Sequence, residues 1–269
     1  MYQSHWGLQE SPFRGGLDAQ DFYLAPTHEE ALARLHFLVE ERRRLGLLLG
    51  EAGSGKSLVF EVVAEQLQQG NRCVAQVGMV GVTAQEFLWQ LAAALGLNPP
   101  PAIELARLWR VLVDRVVENR LLRIGTVILL DDADEAGSDV LAQVARLAQC
   151  DPLPEANLTV VLSAQSGRLG RLGLRLLELA ELRIDLDPWE PADTFAYVRG
   201  ALARAGASSG VFGDEGLARL HELAGGLPRR VKQLADLALL AGAGSQLRQI
   251  DAETLDSVFL ELGVVSAPA

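Results

Sequence analysis

Two groups of residues in this chain have the types and spacing for phosphate chemistry. The first is Gly50-Glu51-Ala52-Gly53-Ser54-Gly55-Lys56-Ser57, a run of the form G-x-x-x-x-G-K-[ST]. Glycines let backbone N–H groups turn inward around phosphate oxygens. A helix that starts at the end of the run aims its positive end at the same anion. Lys56 would reach the β- and γ-phosphates and the Ser57 hydroxyl would ligate Mg²⁺, with Leu58 the last residue of the nucleotide-binding run. The second group is Asp131-Asp132, which closes the apolar run Val127-Ile128-Leu129-Leu130. A carboxylate at the carboxyl end of a buried strand stands where open parallel sheets bind ligands. Asp131 there would hold Mg²⁺. Asp132 is the next carboxylate and the natural general base for an attacking water.

Each group alone has a plainer reading, a Gly-rich turn with a stray lysine or a strand ending in a polar turn. Composition bears on the first. The chain has 24 basic residues, yet Lys56 and Lys232 are its only lysines. Lys232 follows Arg229-Arg230 on a charged helix face, where simple solvation accounts for it. Lys56 stands where a compact, flexible ammonium must enter a cradle of amides, a task a planar guanidinium performs poorly.

The surrounding elements are the ones such groups need. Leu45–Leu49 reads as a short apolar strand before the glycine run, and a helix continues from the run to about Gln69. Further strands are expected at Cys73–Val77, Thr126–Leu130, Leu158–Leu162 and Leu182–Leu186. Helices are expected at His28–Arg44, Thr83–Leu95, Glu104–Leu121, Asp139–Gln149 and, rich in arginine, Gly170–Leu179. Thr83 and Glu86 have capping-box spacing. Strands alternating with helices imply an α/β fold with a parallel sheet covered on both faces. After Pro188 only helical spacing remains, through Ala192–Ala205, Asp214–Ala224, Pro228–Leu240 and Asp251–Leu260. The expected division is therefore a core over residues 1–187, including an irregular lead-in up to Pro26, and a small helical domain over 188–269.

Composition excludes several classes. The chain of 269 residues carries a net charge of −11, which argues against broad binding to nucleic acid or anionic membrane. Arg42-Arg43-Arg44 and Arg168, Arg171 and Arg175 leave room for a local basic patch. No apolar run reaches the ~18–20 residues of a membrane helix, and no signal peptide is visible. Two cysteines, Cys73 and Cys150, build neither a disulfide framework nor a Cys-rich metal site. A cytoplasmic setting is the expectation.

Other segments extend the pattern along the chain. They are Trp6-Gly7-Leu8-Gln9-Glu10-Ser11-Pro12-Phe13, Phe22-Tyr23-Leu24 leading into His28-Glu29-Glu30-Ala31-Leu32, Leu162-Ser163-Ala164-Gln165, Glu181-Leu182-Arg183-Ile184, and Gly225-Gly226-Leu227-Pro228-Arg229-Arg230. In their order and spacing, from about residue 4 to 260, the chain resembles the AAA+ ATPases of the ExeA (general secretion pathway protein A) type. That family has relatives in pilus biogenesis and among the TniB-like transposition proteins. The resemblance implies a P-loop NTPase core with a five-stranded parallel sheet followed by a helical lid. It implies ATP and Mg²⁺ as ligands, homo-oligomerisation, and a protein partner, placing the chain in the cytoplasm or at the inner membrane through that partner. It implies that Ser163 or Gln165 senses the γ-phosphate and that Arg229 reaches the phosphates from the lid. Arg183 would act as an arginine finger on a neighbouring subunit's ATP, with Arg168, Arg171 and Arg175 as competitors. Pro12, Phe13 and Tyr23 are candidates to wall the adenine, with packing as the competing role.

One position departs from the family. Asp-Glu is usual at the end of the acidic strand, and here it is Asp131-Asp132. The base is one methylene shorter, and a misplacement of about 1 Å can cost on the order of 10²-fold in rate. Slow hydrolysis is the expectation, with Asp134 or Glu135 as possible helpers. Three functions follow: an ATPase that remodels a partner, an ATP-gated binding module with weak hydrolysis, and a DNA-associated regulator, which the net charge disfavours.

Overall fold

A computed structural model describes residues 2–13, 16, 22–153, 155–207 and 210–262. The chain divides into two compact units, Leu17–Ala52 with Lys56–Leu186, and Met1–Gly16 with Gly53–Gly55 and Asp187–Ala269.

The first unit is built on a parallel sheet of β1 (Leu45–Gly50), β2 (Arg72–Gly78), β3 (Gly125–Asp131), β4 (Leu158–Gln165) and β5 (Leu182–Leu186), in the order β2-β3-β4-β1-β5. Strands β1, β3 and β4 are buried along nearly their whole length, as unbroken apolar runs of a doubly covered sheet should be. One face carries Leu48, Val127, Leu129, Val161 and Ile184 against Leu35, Leu38, Val59, Phe60 and Val63, which lie on helices α2 (Pro26–Glu40) and α3 (Lys56–Gln68). The other carries Leu47, Leu49, Ile128, Leu130, Val160 and Leu162 against Phe87, Leu91, Leu108, Leu112, Val140 and Val144. Those residues come from α4 (Ala84–Ala94), α5 (Leu105–Leu121) and α6 (Ser138–Leu147). Thr83 caps α4 as its spacing predicts: its side chain accepts from the Glu86 N–H, and the Glu86 carboxylate accepts from the Thr83 N–H at 2.9 Å. The Thr83 hydroxyl also donates to that carboxylate at 2.8 Å, and the two bonds it accepts from Thr83 hold the Glu86 carboxyl below its ordinary range.

The arginine-rich helix expected over Gly170–Leu179 is not continuous. A 3₁₀ helix runs over Ser166–Leu172, and α7 covers only Leu174–Leu179. Gly173 separates them with φ 79° and ψ 152°, a backbone state outside every helical basin that glycine reaches without penalty.

The second unit contains α1 (Tyr2–Trp6), α8 (Pro191–Arg204), α9 (Asp214–Ala224), α10 (Pro228–Gly244) and α11 (Ala252–Glu261). The start of the chain groups with these helices, whereas the sequence placed it with the sheet, and its beginning is a short helix. Apolar burial is the cause. Trp6 is buried and its indole N–H donates to the Leu239 carbonyl at 2.8 Å, so the ring loses no polar partner as it leaves water. Phe13, also buried, packs on Tyr197 with ring centroids 6.1 Å apart, and Trp189 approaches the same tyrosine at 5.0 Å. Phe13 thus takes the packing role. Lys232 is half-buried on α10, not fully solvated.

Candidate functional site

The glycine run falls between β1 and α3, where the chain leaves a buried strand and must turn at once into a helix. Gly53 and Gly55 have φ values of 89° and 104°, which side chains other than hydrogen rarely tolerate. A Cβ on Gly53 would also lie 2.9 Å from the Arg229 Cβ. Lys56 opens α3, and its side chain folds back along the loop. Its ammonium donates to the carbonyls of Gly50 and Glu51, both at 3.0 Å, and it is buried. Ser54 is buried, Ser57 and Leu58 are half-buried, and Glu51 and Ala52 are exposed.

Sheet register brings the second group to the same edge. Gly50 of β1 stands beside Gln165 of β4, and Leu130 of β3 stands beside Leu162. Asp131, one residue further, is therefore level with Ser163. The contact is direct: the Ser163 hydroxyl donates to Asp131 Oδ1. The same serine oxygen accepts from the Asp132 N–H at 2.9 Å, and that N–H lies 3.2 Å from Asp131 Oδ1. Ser163 is fully buried. Its hydroxyl proton is committed to Asp131, and Gln165, the other residue read as a γ-phosphate sensor, is half-buried at the strand end.

Asp132 departs from strand geometry with φ 54° and ψ 46°. Aspartate enters this left-handed region more readily than most residues, and strained backbone of this kind gathers at functional sites. It turns the chain sharply into a 3₁₀ turn, Ala133–Glu135. The acids of that turn have partners within the chain. Asp134 is buried, and its Oδ1 accepts from the Gln165 N–H at 3.2 Å. Its Oδ2 is 3.8 Å from the Arg168 guanidinium. Glu135 pairs with Arg168 and, at 3.7 Å, with Arg171. Two competitors for the finger role are thereby occupied within their own chain, and Arg175 donates to Gln149 at 2.7 Å.

Arg183 lies on edge strand β5, exposed, with its guanidinium on both oxygens of Asp185 at 2.7–3.0 Å. Its partner in β1 is Leu47, three residues short of Gly50. Arg229 is exposed one residue after Pro228 opens α10. Its backbone N–H donates to the Gly53 carbonyl at 3.2 Å. Pro12 and Tyr23 are half-buried.

The donor set fits Mg²⁺. Ser57 offers a hydroxyl and Asp131 a carboxylate, hard oxygen ligands of the kind this ion takes alongside water and phosphate. Sequence reasoning missed the contact between Asp134 and Arg168. The only signal was that both sit just beyond the ends of adjacent strands.

Comparison with known proteins agrees with this geometry. Residues 39–172 match the family described as AAA domain. The chain is 30% identical over 245 residues to general secretion pathway protein A of Aeromonas hydrophila, across 90% of this chain and 45% of that protein. It thus spans just under half the length of that relative. Among solved structures it is similar to Cdc6p of Pyrobaculum aerophilum, with a TM-score of 0.70 at 18% identity, covering 96% of this chain and 72% of the other. It is also similar to the ORC2 protein of Aeropyrum pernix, solved as ADPNP–ADP complexes, with a TM-score of 0.68 at 13% identity, covering 97% and 73%. At these identities the two structures speak for the fold. The relatives carry the P-loop AAA+ architecture read from the sequence.

Proposed function

We propose that this chain, a member of the AAA+ ATPase family, binds ATP with Mg²⁺, hydrolyses it slowly, and uses the cycle to assemble or remodel a protein partner of the secretion or pilus type. The observation that carries the reading is the alignment on one sheet edge of the Gly50–Ser57 loop with the Asp131–Ser163 pair. Backbone N–H groups and Lys56 would receive the β- and γ-phosphates. Ser57 and Asp131 would hold Mg²⁺, which when bound neutralises charge on the phosphates. Ser163 keeps the Asp131 carboxylate in place. Asp132 would accept a proton from the attacking water, and Gln165 would contact the γ-phosphate.

Likeness to general secretion pathway protein A supports the choice of partner class and a cytoplasmic place beside the inner membrane. The helical unit would serve as the lid, with Arg229 its phosphate contact and Arg183 a finger acting on the ATP of another copy in a homo-oligomer. Reaching across would require the Arg183–Asp185 pair to open.

Asp132 favours a second reading, an ATP-gated binding module in which hydrolysis is incidental. The deciding experiment measures MgATP binding and turnover for the wild type and Lys56→Ala. The substitution should weaken binding by about 10²-fold or more, because it removes the charge that meets two phosphates. Equal binding by both proteins would sink the nucleotide reading. Binding by the wild type alone, with turnover no faster than in Lys56→Ala, would leave the gated module. A DNA-associated role predicts binding to duplex that persists at 200 mM salt, and no binding at low salt removes it.

A further inference from the structure

We propose that Arg168 and Asp134 form a clasp that positions Gln165 and the Asp131–Asp132 turn against each other, making both of them positioning residues for ATP hydrolysis. The inference rests on the nucleotide reading above and assigns roles that reading does not need. Asp134 follows β3 and Arg168 follows β4, so any bond between them ties two strand ends that the sheet ladder no longer holds. The ladder between β3 and β4 stops at Leu130 and Leu162. Beyond it, Asp134 is buried, with one carboxylate oxygen on the Gln165 N–H at 3.2 Å. The other oxygen is buried without a hydrogen bond and faces the Arg168 guanidinium at 3.8 Å.

A carboxylate withdrawn from water this far is costly unless a cation and donors accompany it. Arg168 supplies the cation and also grips Glu135 in the same turn. The N–H that Asp134 fixes belongs to the residue beside Gly50, the first of the phosphate loop. One link thus runs from the turn that carries Asp132 to the residue facing the loop. Arg168, half in solvent, can change without emptying the core. The arrangement explains why a residue read as a competitor for the finger role points into its own subunit.

The test uses the full chain with Arg168→Gln, Arg168→Lys and Asp134→Asn, read by amide hydrogen exchange at Gln165 without nucleotide and by steady-state hydrolysis of MgATP. Arg168→Gln and Asp134→Asn should speed exchange at Gln165 by about tenfold, the scale of one lost hydrogen bond to a charged group. They should lower kcat by about tenfold with KM within about twofold, since misplacing a catalytic group affects the chemical step more than binding. Arg168→Lys, which keeps the charge, should recover part of both. Exchange at Gln165 that is unchanged in Arg168→Gln overturns the clasp. So does unchanged kcat beside an active wild type, even if Asp134→Asn fails to fold. A wild type that does not bind MgATP breaks the nucleotide reading itself, and the exchange result still reports the link separately.

Discussion

Two of the arginine–aspartate pairs in the sheet unit, Arg168–Asp134 and Arg183–Asp185, behave as opposites. Beyond β3 and β4, Arg168 meets a carboxylate that has no exposed surface. On β5, Arg183 meets Asp185 with both side chains about half in water, at 55% and 44% exposure. The second pair has the better geometry, with three short hydrogen bonds against one long ionic contact. Geometry does not rank them. Water screens the exposed pair and would solvate either partner if it opened, whereas the buried carboxylate has no such alternative. A clasp that must stay closed suits the first setting. An arginine that must be free to leave for another copy suits the second.

The largest expected effect tests that division at β5. If Arg183 completes a neighbour's site, Arg183→Ala should lower turnover by about 10³-fold with ATP binding retained. Turnover at the wild-type level would remove the finger role and leave β5 an ordinary edge. Asp132 comes next. Lengthening it in Asp132→Glu should raise turnover by about tenfold, because one methylene closes a gap on the scale to which proton transfer is sensitive. A rate that falls or stays put would show that the left-handed backbone at this position already fits the shorter side chain. Third, Asp134→Ala leaves the Gln165 N–H without its acceptor and takes from Arg168 one of its two carboxylate partners. It should cost about 1–3 kcal/mol in denaturant unfolding, and a loss near zero would mean water replaces the carboxylate.

The chemistry-bearing residues were legible where the physics is local. A phosphate loop must be consecutive, so Gly50–Ser57 was readable as a string, and the Thr83–Glu86 capping box spans three residues. β3 announced itself because a doubly covered strand is apolar throughout, and the abrupt change to Asp131-Asp132 marked its end. Most of the failures are non-local. Trp6 looked like part of an irregular lead-in because its acceptor, Leu239, is more than two hundred residues away. The bond from Ser163 to Asp131 went unread, because placing β4 beside β3 does not by itself say which of their end residues will meet. Arg168 and Asp134 belong to different helical turns, and charge pattern alone could not tell a buried partner from a solvated one. The break at Gly173 was missed for a different reason: leucines continue on both sides of it, and their spacing hid the single residue that interrupts the helix.

The smallest effect is the most discriminating for the comparison. Asp185→Ala removes the acid from Arg183 on the exposed strand. Two half-solvated side chains on one strand should contribute under about 0.5 kcal/mol after screening, so the melting temperature should move by no more than ~2 °C. The pair also shows itself in the ionisation of Arg183, whose hydrogen bonds to Asp185 raise its pKa further above the ordinary arginine value. The guanidinium is charged at any working pH with or without the acid, so Asp185→Ala changes where Arg183 points and not whether it is charged. If Asp185 only decorates the surface, turnover should match the wild type across the range of protein concentrations. If it holds the finger back, turnover should rise, and rise most at concentrations where copies have begun to associate, because a freed guanidinium acts only when a second site is within reach. A loss of several kcal/mol on unfolding would contradict the whole contrast between the two pairs, since it would give an exposed ion pair the weight reserved here for the buried one.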